Sequence, residues 1–243
     1  MAKTALVTGG NRGIGQQVAR VLATEGWDVL LGTRDKQKGD AAAARLRKDT
    51  GGRLKAIELD VTSDASCTTA AGKLRDGAIR IDALVNNAGV YGRSSSTAQT
   101  LETNFFGPLR VIDAMLPLLR DGATITNVTS GLGALANIDE PLHGVLADPL
   151  VTREQLVAAV RAYDGTDAYG ASKAALNALT RILAPELAPR QIKINATDPG
   201  WVRTDMGGRG APRSVEQGAA SVLAGVHATW SGAVMRDGKR IAP

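Results

Sequence analysis

Aromatic side chains are scarce in this sequence: only 3% of its 243 residues are Phe, Trp or Tyr. A core built without them must come from Ala, Val, Leu and Ile. Such small and β-branched residues suit parallel strands covered on both faces by helices. Cysteine is scarcer still. Cys67 stands alone, which excludes a disulfide framework and a Cys-based metal site. His143 and His227 are too few for a His-rich metal cluster, so no metal is expected. No run approaches the roughly eighteen apolar residues of a membrane span. The chain enters its first strand at Thr4 without the apolar run of a secretory signal, and a cytoplasmic location is expected. The formal charge of +5 is dispersed, with no block of Lys and Arg. Nucleic acid is therefore a poor partner; cations serving an anionic cofactor are the plainer reading.

What is present is a rhythm. Short apolar runs alternate with helical patterns, as in repeated βαβ units. Strands are predicted over 4–10, 28–35, 54–61, 81–89, 122–131 and 193–200, with a short seventh within SGAVMRDGKRI, where Asp237-Gly238 signals a turn. The first helix carries Ile14, Val18, Val21 and Leu22 on one face and stops at Gly26. Long helices are predicted over 101–120 and 167–188. Without repeats or linkers, residues 1–243 read as one α/β domain, a doubly wound parallel sheet of about seven strands with helices on both faces. Residues 131–166 are irregular, but Thr152-Arg153-Glu154-Gln155 forms a capping-box pattern with Val151 and Leu156 as a hydrophobic staple. Leu156, Val160 and Tyr163 then line one helical face. DMGGRGAPR (205–213) suits either a mobile lid over substrate or a plain flexible loop, and Ser214 to Gln217 reads as another capping box.

Gly9, Gly13 and Gly15 lie in TGGNRGIG between the first strand and the first helix, where backbone N–H groups and a helix N-terminus can meet a pyrophosphate. The spacing differs from the common Gly-x-Gly-x-x-Gly fingerprint. Tyr169 and Lys173, four apart, share a helical face. An ammonium about 4 Å from a phenol, at an effective dielectric near 20, favours the phenolate by roughly 4 kcal/mol before desolvation. Tyr169 is thus expected to titrate well below its ordinary pKa.

TGGNRGIG is similar to the TGxxxGxG motif of the short-chain dehydrogenases/reductases. NNAG (86–89), Ser130, YGASK (169–173) and PGWVRT (199–204) follow in that family's order, and the resemblance covers essentially the whole chain. ETNFFG, GWVRTDM and the long interval from Ser130 to Tyr169 resemble the NADPH-dependent carbonyl reductases in particular. The resemblance implies a Rossmann-type fold that reduces a ketone or aldehyde, a small carbonyl substrate, with Ser130, Tyr169, Lys173 and Asn104 as the catalytic set. Tyr169 would deliver the proton, Lys173 would bind the nicotinamide ribose, and Asn104 would steady a water relay behind the lysine. Cofactor contacts are implied for Gly9, Asn11, Arg12, Gly13, Ile14 and Gly15 in the glycine turn. They are also implied for Asp60 and Val61 at the adenine, for Asn86, Ala88 and Gly89, and for Pro199, Gly200, Val202 and Thr204 at the carboxamide. NNAG could instead be a structural loop stabiliser.

Cofactor choice has two conflicting cues. Asp35 stands about twenty residues after the last glycine, where an acid binds the ribose 2′-hydroxyl of NAD. The family register instead puts Thr33 at that strand end with Arg34 after it, and Arg34 with Arg12 suits the 2′-phosphate of NADPH/NADP+. NADPH is favoured, with Asp35 facing solvent or paired with Arg34. Insertions like 131–166 obstruct a common subunit interface in carbonyl reductases, so a monomer is expected. The rivals are a cofactor-binding regulator without turnover, a nucleic-acid-binding domain, and a sugar-nucleotide epimerase or dehydratase.

Overall fold

A computed structural model describes residues 2–92 and 95–243 of the chain. Its strands are β1 (Thr4–Thr8), β2 (Asp28–Thr33), β3 (Arg53–Glu58), β4 (Ile81–Asn86), β5 (Leu119–Val128), β6 (Lys193–Thr197), β7 (Val234–Arg236) and β8 (Lys239–Ile241). They form one sheet in the order β3-β2-β1-β4-β5-β6-β7-β8. All neighbours are parallel except β7 and β8. The chain starts in the middle of the sheet, winds out to β3, then crosses back over β1 to build the other half. That reversal between β1 and β4 is the switch point at which such sheets open a crevice. The predicted seventh strand is a hairpin. Asp237 (φ 50°) and Gly238 (φ 75°) reverse the chain and add an eighth strand that single-strand reasoning does not contain.

The helices are α1 (Gly13–Thr24), α2 (Lys36–Thr50), α3 (Asp64–Asp76), α4 (Thr97–Leu101) and α5 (Gly107–Met115). They continue with α6 (Leu142–Ala147), α7 (Arg153–Arg161), α8 (Ala168–Leu187) and α9 (Val215–Val226). Period-two alternation along the strands sorts the core into two layers. Ala5 and Val7 of β1 pack with Val18 and Leu22 of α1, Leu46 of α2 and Val222 of α9. Leu6 between them faces the other side, with Leu74 of α3, Phe105, Ile112 of α5 and Leu179 of α8. Both faces are dry, which is why the strands read as unbroken apolar runs.

One helix departs from expectation, and one within 131–166 follows it. The helix predicted from 101 begins at Thr97, after a Ser96–Gln99 capping box, and contains one π-turn over Glu102–Phe106 before α5. Such single π-turns widen the helix locally and redirect a side chain; here the turn carries Asn104. Thr152 and Gln155 do cap α7 reciprocally, and Val151 and Leu156 are both buried. α6 and α7 lie on α8, where Arg181 donates to the carbonyls of Leu146 (3.1 Å), Asp148 (2.9 Å) and Pro149 (3.1 Å). Residues 131–166 thus share the core of the sheet rather than hanging from it. Leu156 has no exposed surface. Leu156→Ala is expected to cost about 3 kcal/mol of unfolding free energy in chemical denaturation, and a loss below about 1 kcal/mol would contradict a shared core.

Candidate active site

The carboxyl ends of β1, β4, β5 and β6 border a cleft of about 1210 Å³. One wall is the glycine turn. Gly9 (φ 63°) and Gly13 (φ 55°) adopt the left-handed backbone that glycine tolerates, and α1 begins at Gly13 with its N-terminus toward the cleft. The turn is fastened to the loop after β4. Thr8 Oγ1 accepts from the backbone N–H groups of Asn87 (2.9 Å) and Ala88 (3.0 Å), and Asn87 Nδ2 donates to the carbonyls of Thr8 (2.9 Å) and Gly9 (3.3 Å).

All but three of the residues singled out from sequence line this cleft. Gly15 lies behind the turn; a Cβ there would clash with the Asn87 amide and come within 2.8 Å of the Gly9 carbonyl, so its role is close packing. Asn86 points into the sheet and donates to Asn127 Oδ1 at 2.9 Å, while its neighbour Asn87 faces the cleft. The strand's alternation decides which asparagine borders the cleft. Asn104 is fully buried behind the wall. Its Oδ1 accepts from Val90 N (2.9 Å) and its Nδ2 donates to Val90 O (2.9 Å) and Ser172 Oγ (3.2 Å). It therefore pins the loop carrying Gly89 and Val90 to α8. A Cβ on Gly89 would lie 3.2 Å from Asn104 Oδ1 and 3.8 Å from Lys173 Nζ, so only a glycine separates the two side chains.

The charged residues Asp35, Arg34 and Arg12 lie at the far end of the cleft. Asp35 does not pair with Arg34; its side chain is 38% exposed, in keeping with the solvent-facing alternative. It caps α2, accepting from Lys38 N at 3.0 Å, and pairs with Lys38 Nζ at 3.0 Å. The Lys38 amide and ammonium hold its carboxyl below the ordinary Asp range. Arg34 is exposed, lines the cleft and has no acidic partner among the described residues. Arg12 is paired with Asp205 at 3.1 Å, both side chains largely exposed. Lys38 and Arg45 also line this end and escaped sequence reasoning, although Lys38 sits one turn beyond Arg34. Asp60 Oδ1 is taken up by Thr62 N (2.9 Å) and Thr62 Oγ1 (2.7 Å).

At the other end lie Ser130, Tyr169 and Lys173. α8 is capped by Asp167, whose carboxylate accepts from Gly170 N at 2.9 Å, and its second turn brings Lys173 under the end of β5. Lys173 is only 5% exposed, and its Nζ donates to the Val128 carbonyl at 2.8 Å. Burial pulls its pKa down to about 8, with Asp198 acting the other way. Tyr169 does not have the lowered pKa expected from its lysine neighbour. Burial pushes the phenol up to about 12; the Ser130 hydroxyl opposes this, while Asp198, Tyr91 and Asp167 reinforce it. Lys173 Nζ sits 5.7 Å from the ring centroid and spends its proton on Val128, so desolvation wins. The Tyr91 ring meets Tyr169 edge-on at 4.6 Å, and Tyr91, Leu132, Trp201 and Met206 present exposed apolar surface at the mouth. Loop 205–213 is braced at its base, where Arg203 N donates to Arg213 O (2.9 Å) and Trp201 Nε1 to Gly207 O (2.8 Å).

The glycine turn at the switch point, with Tyr169 and Lys173 opposite it, defines the class: the chain belongs to the short-chain dehydrogenase/reductase family. The short chain dehydrogenase model matches residues 3–142, and an enoyl-(acyl carrier protein) reductase model of the same kind matches 151–230. Among known proteins the chain is similar to (+)-neomenthol dehydrogenase of Arabidopsis thaliana, 34% identical over 89% of this chain and 88% of that protein. It is likewise similar to carbonyl reductase [NADPH] 1 of Mus musculus, 35% identical over 88% and 87%. Salutaridine reductase from Papaver somniferum superposes with a TM-score of 0.89 at 27% identity, covering 97% of this chain and 99% of that one. NADPH-bound carbonyl reductase from chicken fatty liver gives 0.78 at 27%, covering 100% and 99%.

The phenol's environment can be read directly. In ultraviolet difference titration, the signal lost on Tyr169→Phe is expected to belong to a phenol titrating near 12 in the free protein. A lost signal centred near neutrality would show that Lys173 outweighs burial.

Proposed function

We propose that this protein is an NADPH-dependent reductase of small ketones or aldehydes, with Tyr169 as proton donor. The observation that carries the reading is the division of the cleft. Arg34 and Arg45, without an acidic partner among the described residues, stand at one end, and a phenol and a buried ammonium stand at the other, with a glycine-lined wall between. Its similarity to enzymes named carbonyl reductase and neomenthol dehydrogenase points the same way.

The residues fit the cofactor. Gly9, Asn11, Gly13 and Ile14 would hold the pyrophosphate at the N-terminus of α1. Arg34, with Arg12, Lys38 and Arg45 around it, would hold the 2′-phosphate, because Asp35 is already committed to Lys38. Asp60, Val61, Ala88 and Gly89 would border the adenosine half, and Pro199, Gly200, Val202 and Thr204 the nicotinamide half. NADPH supplies the hydride when bound. The chain's own residues manage the oxygen and the proton. Ser130 and Tyr169 donate hydrogen bonds to the substrate carbonyl oxygen, polarising it without a metal. Tyr169 gives up its phenolic proton as the alkoxide forms. Lys173, charged below about pH 8, stabilises the tyrosinate that remains and returns a proton. Asn104 holds the Gly89–Val90 loop beside Lys173 rather than meeting substrate.

Two outcomes test this. Tyr169→Phe should bind NADPH normally yet lose at least about a hundredfold in turnover on a ketone; near-normal turnover would exclude the mechanism. Arg34→Ala should weaken NADPH about ten- to a hundredfold while leaving NADH little changed, and Thr33→Asp added to it should reverse the preference. The ratio of kcat/KM for the two cofactors measures this. A wild type preferring NADH, or a ratio insensitive to Arg34, would return the choice to Asp35.

A further inference from the structure

Asp198, immediately before Pro199-Gly200, is 1% exposed and yet borders the cleft. A carboxylate is rarely buried unless paired, and this one is fully paired. Its Oδ1 accepts from Gly200 N at 2.7 Å, and its Oδ2 accepts from Arg236 Nε at 2.9 Å and from Arg236 Nη2. The backbone around it is anchored as well: Asp198 N donates to Met235 O at 2.8 Å, and Ser221 Oγ donates to Asp198 O at 2.8 Å. The ion pair lies under the corner that follows Ser130. A Cβ on Gly131 would come within 2.8 Å of Arg236 Nη2 and 3.3 Å of Asp198 Oδ2. Three segments that border the reacting end of the cleft therefore meet at one carboxylate: the Ser130 corner after β5, the Pro199-Gly200 turn after β6, and the end of β7.

We propose that Asp198, clamped by Arg236 and the Gly200 amide, is a positioning residue of the reaction, locking these three segments together and placing a fixed negative charge at the Tyr169–Lys173 pair. This rests on the reading of Tyr169 as proton donor. Its field acts on both groups in one direction, favouring the phenol over the phenolate and the ammonium over the amine. The desolvated Lys173 is thereby kept charged, and the phenol stays protonated ahead of the proton transfer. Arg236 prevents the charge from being excessive; with its side chain 43% exposed, the pair is open to solvent on that side only. The other charged or titratable groups around the phenol are Tyr91 after β4 and Asp167 at the start of α8, and Arg213 before α9 also feels Asp198. None of these bridges the three segments.

The test compares pH profiles of kcat/KM for ketone reduction in wild type, Asp198→Asn and Arg236→Gln, with NADPH affinity and thermal midpoint measured alongside. Reduction fails as pH rises through the point where Lys173 or Tyr169 loses its proton. Removing the carboxylate lowers both, so the alkaline limb of Asp198→Asn should move down by about one pH unit. Removing the guanidinium leaves the carboxylate uncompensated, so the limb of Arg236→Gln should move up. A filler of space would lower rates equally at all pH and move neither limb, and that result overturns the proposal. If Asp198→Asn fails to fold, the direction of the Arg236→Gln limb decides alone. A wild type that reduces no carbonyl would refute the proposed function instead, which keeps the two failures apart.

Discussion

The burial of Lys173 is the constraint from which much of this molecule follows. A lysine ammonium taken out of water must be met by acceptors and compensating charge, or it gives up its proton. Here the Val128 carbonyl meets it because β5 ends there, Thr129 N turning instead to Thr197 O at 2.9 Å. For the ammonium to reach that carbonyl, α8 must lie against the sheet with no bulk between. Its inward face is accordingly small: Ala171, Ala174 and Ala175 are buried, and a Cβ on Gly133 would sit 2.6 Å from Lys173 Cβ. The scarcity of aromatics and abundance of Ala and Gly thus reflect a helix that must approach closely, not merely a thin core.

The same burial explains why the phenol titrates high. Tyr169 shares the low-dielectric floor, and close to a lysine that donates elsewhere it gains less from the positive charge than it loses by desolvation. The two buried charges, Lys173 and Asp198, are of opposite sign, and the partly exposed Arg236 pairs with the second. Lys173, Asp198 and Arg236 together sum to a single positive charge, with each polar head given a defined partner. Breaking such a pair by removing one member is far more damaging than never having it, since the survivor is left buried alone.

Which of these features can be read from sequence depends on the range of the interaction that makes them. The glycine turn, the Tyr169–Lys173 spacing and the Thr152–Gln155 cap are local, and each sits where its spacing implies. The placement of Asn86 in the sheet and Asn87 at the cleft is local too, a matter of alternation along β4. The capping of α2 by Asp35 follows the same logic, since an Asp three residues before Lys38, at a strand's end, suits an N-cap better than a ribose ligand. The pairing of Asp198 with Arg236 spans 38 residues, and nothing near either one signals the other. Desolvation of Tyr169 is likewise a property of the assembled cleft. The π-turn at Asn104 leaves no periodic trace, because one widened turn is shorter than the window a pattern needs.

The two ends of the cleft follow opposite electrostatic rules, and this separates what they can tolerate. At one end, Arg12, Arg34, Lys38 and Arg45 stand in water, where attraction for an anion is screened by salt. Changing one of them alters affinity for an anion and little else, because nothing in the core leans on it. At the other end Lys173 and Asp198 are buried, and under the proposed mechanism one substitution there would move the proton affinities of Tyr169 and Lys173 together. Under the proposed function, cofactor preference would drift by exchange of the exposed Arg12, Arg34, Lys38 and Arg45, while the chemistry would stay tied to the contact between α8 and the ends of β5, β6 and β7. Substrate preference lies between these regimes. Tyr91, Leu132, Trp201 and Met206 are exposed enough to change without a core penalty, yet Tyr91 also touches the Tyr169 ring. A change at that one wall residue reaches Tyr169 directly, which, under the proposed function, would couple the shape of the mouth to the rate of the chemistry.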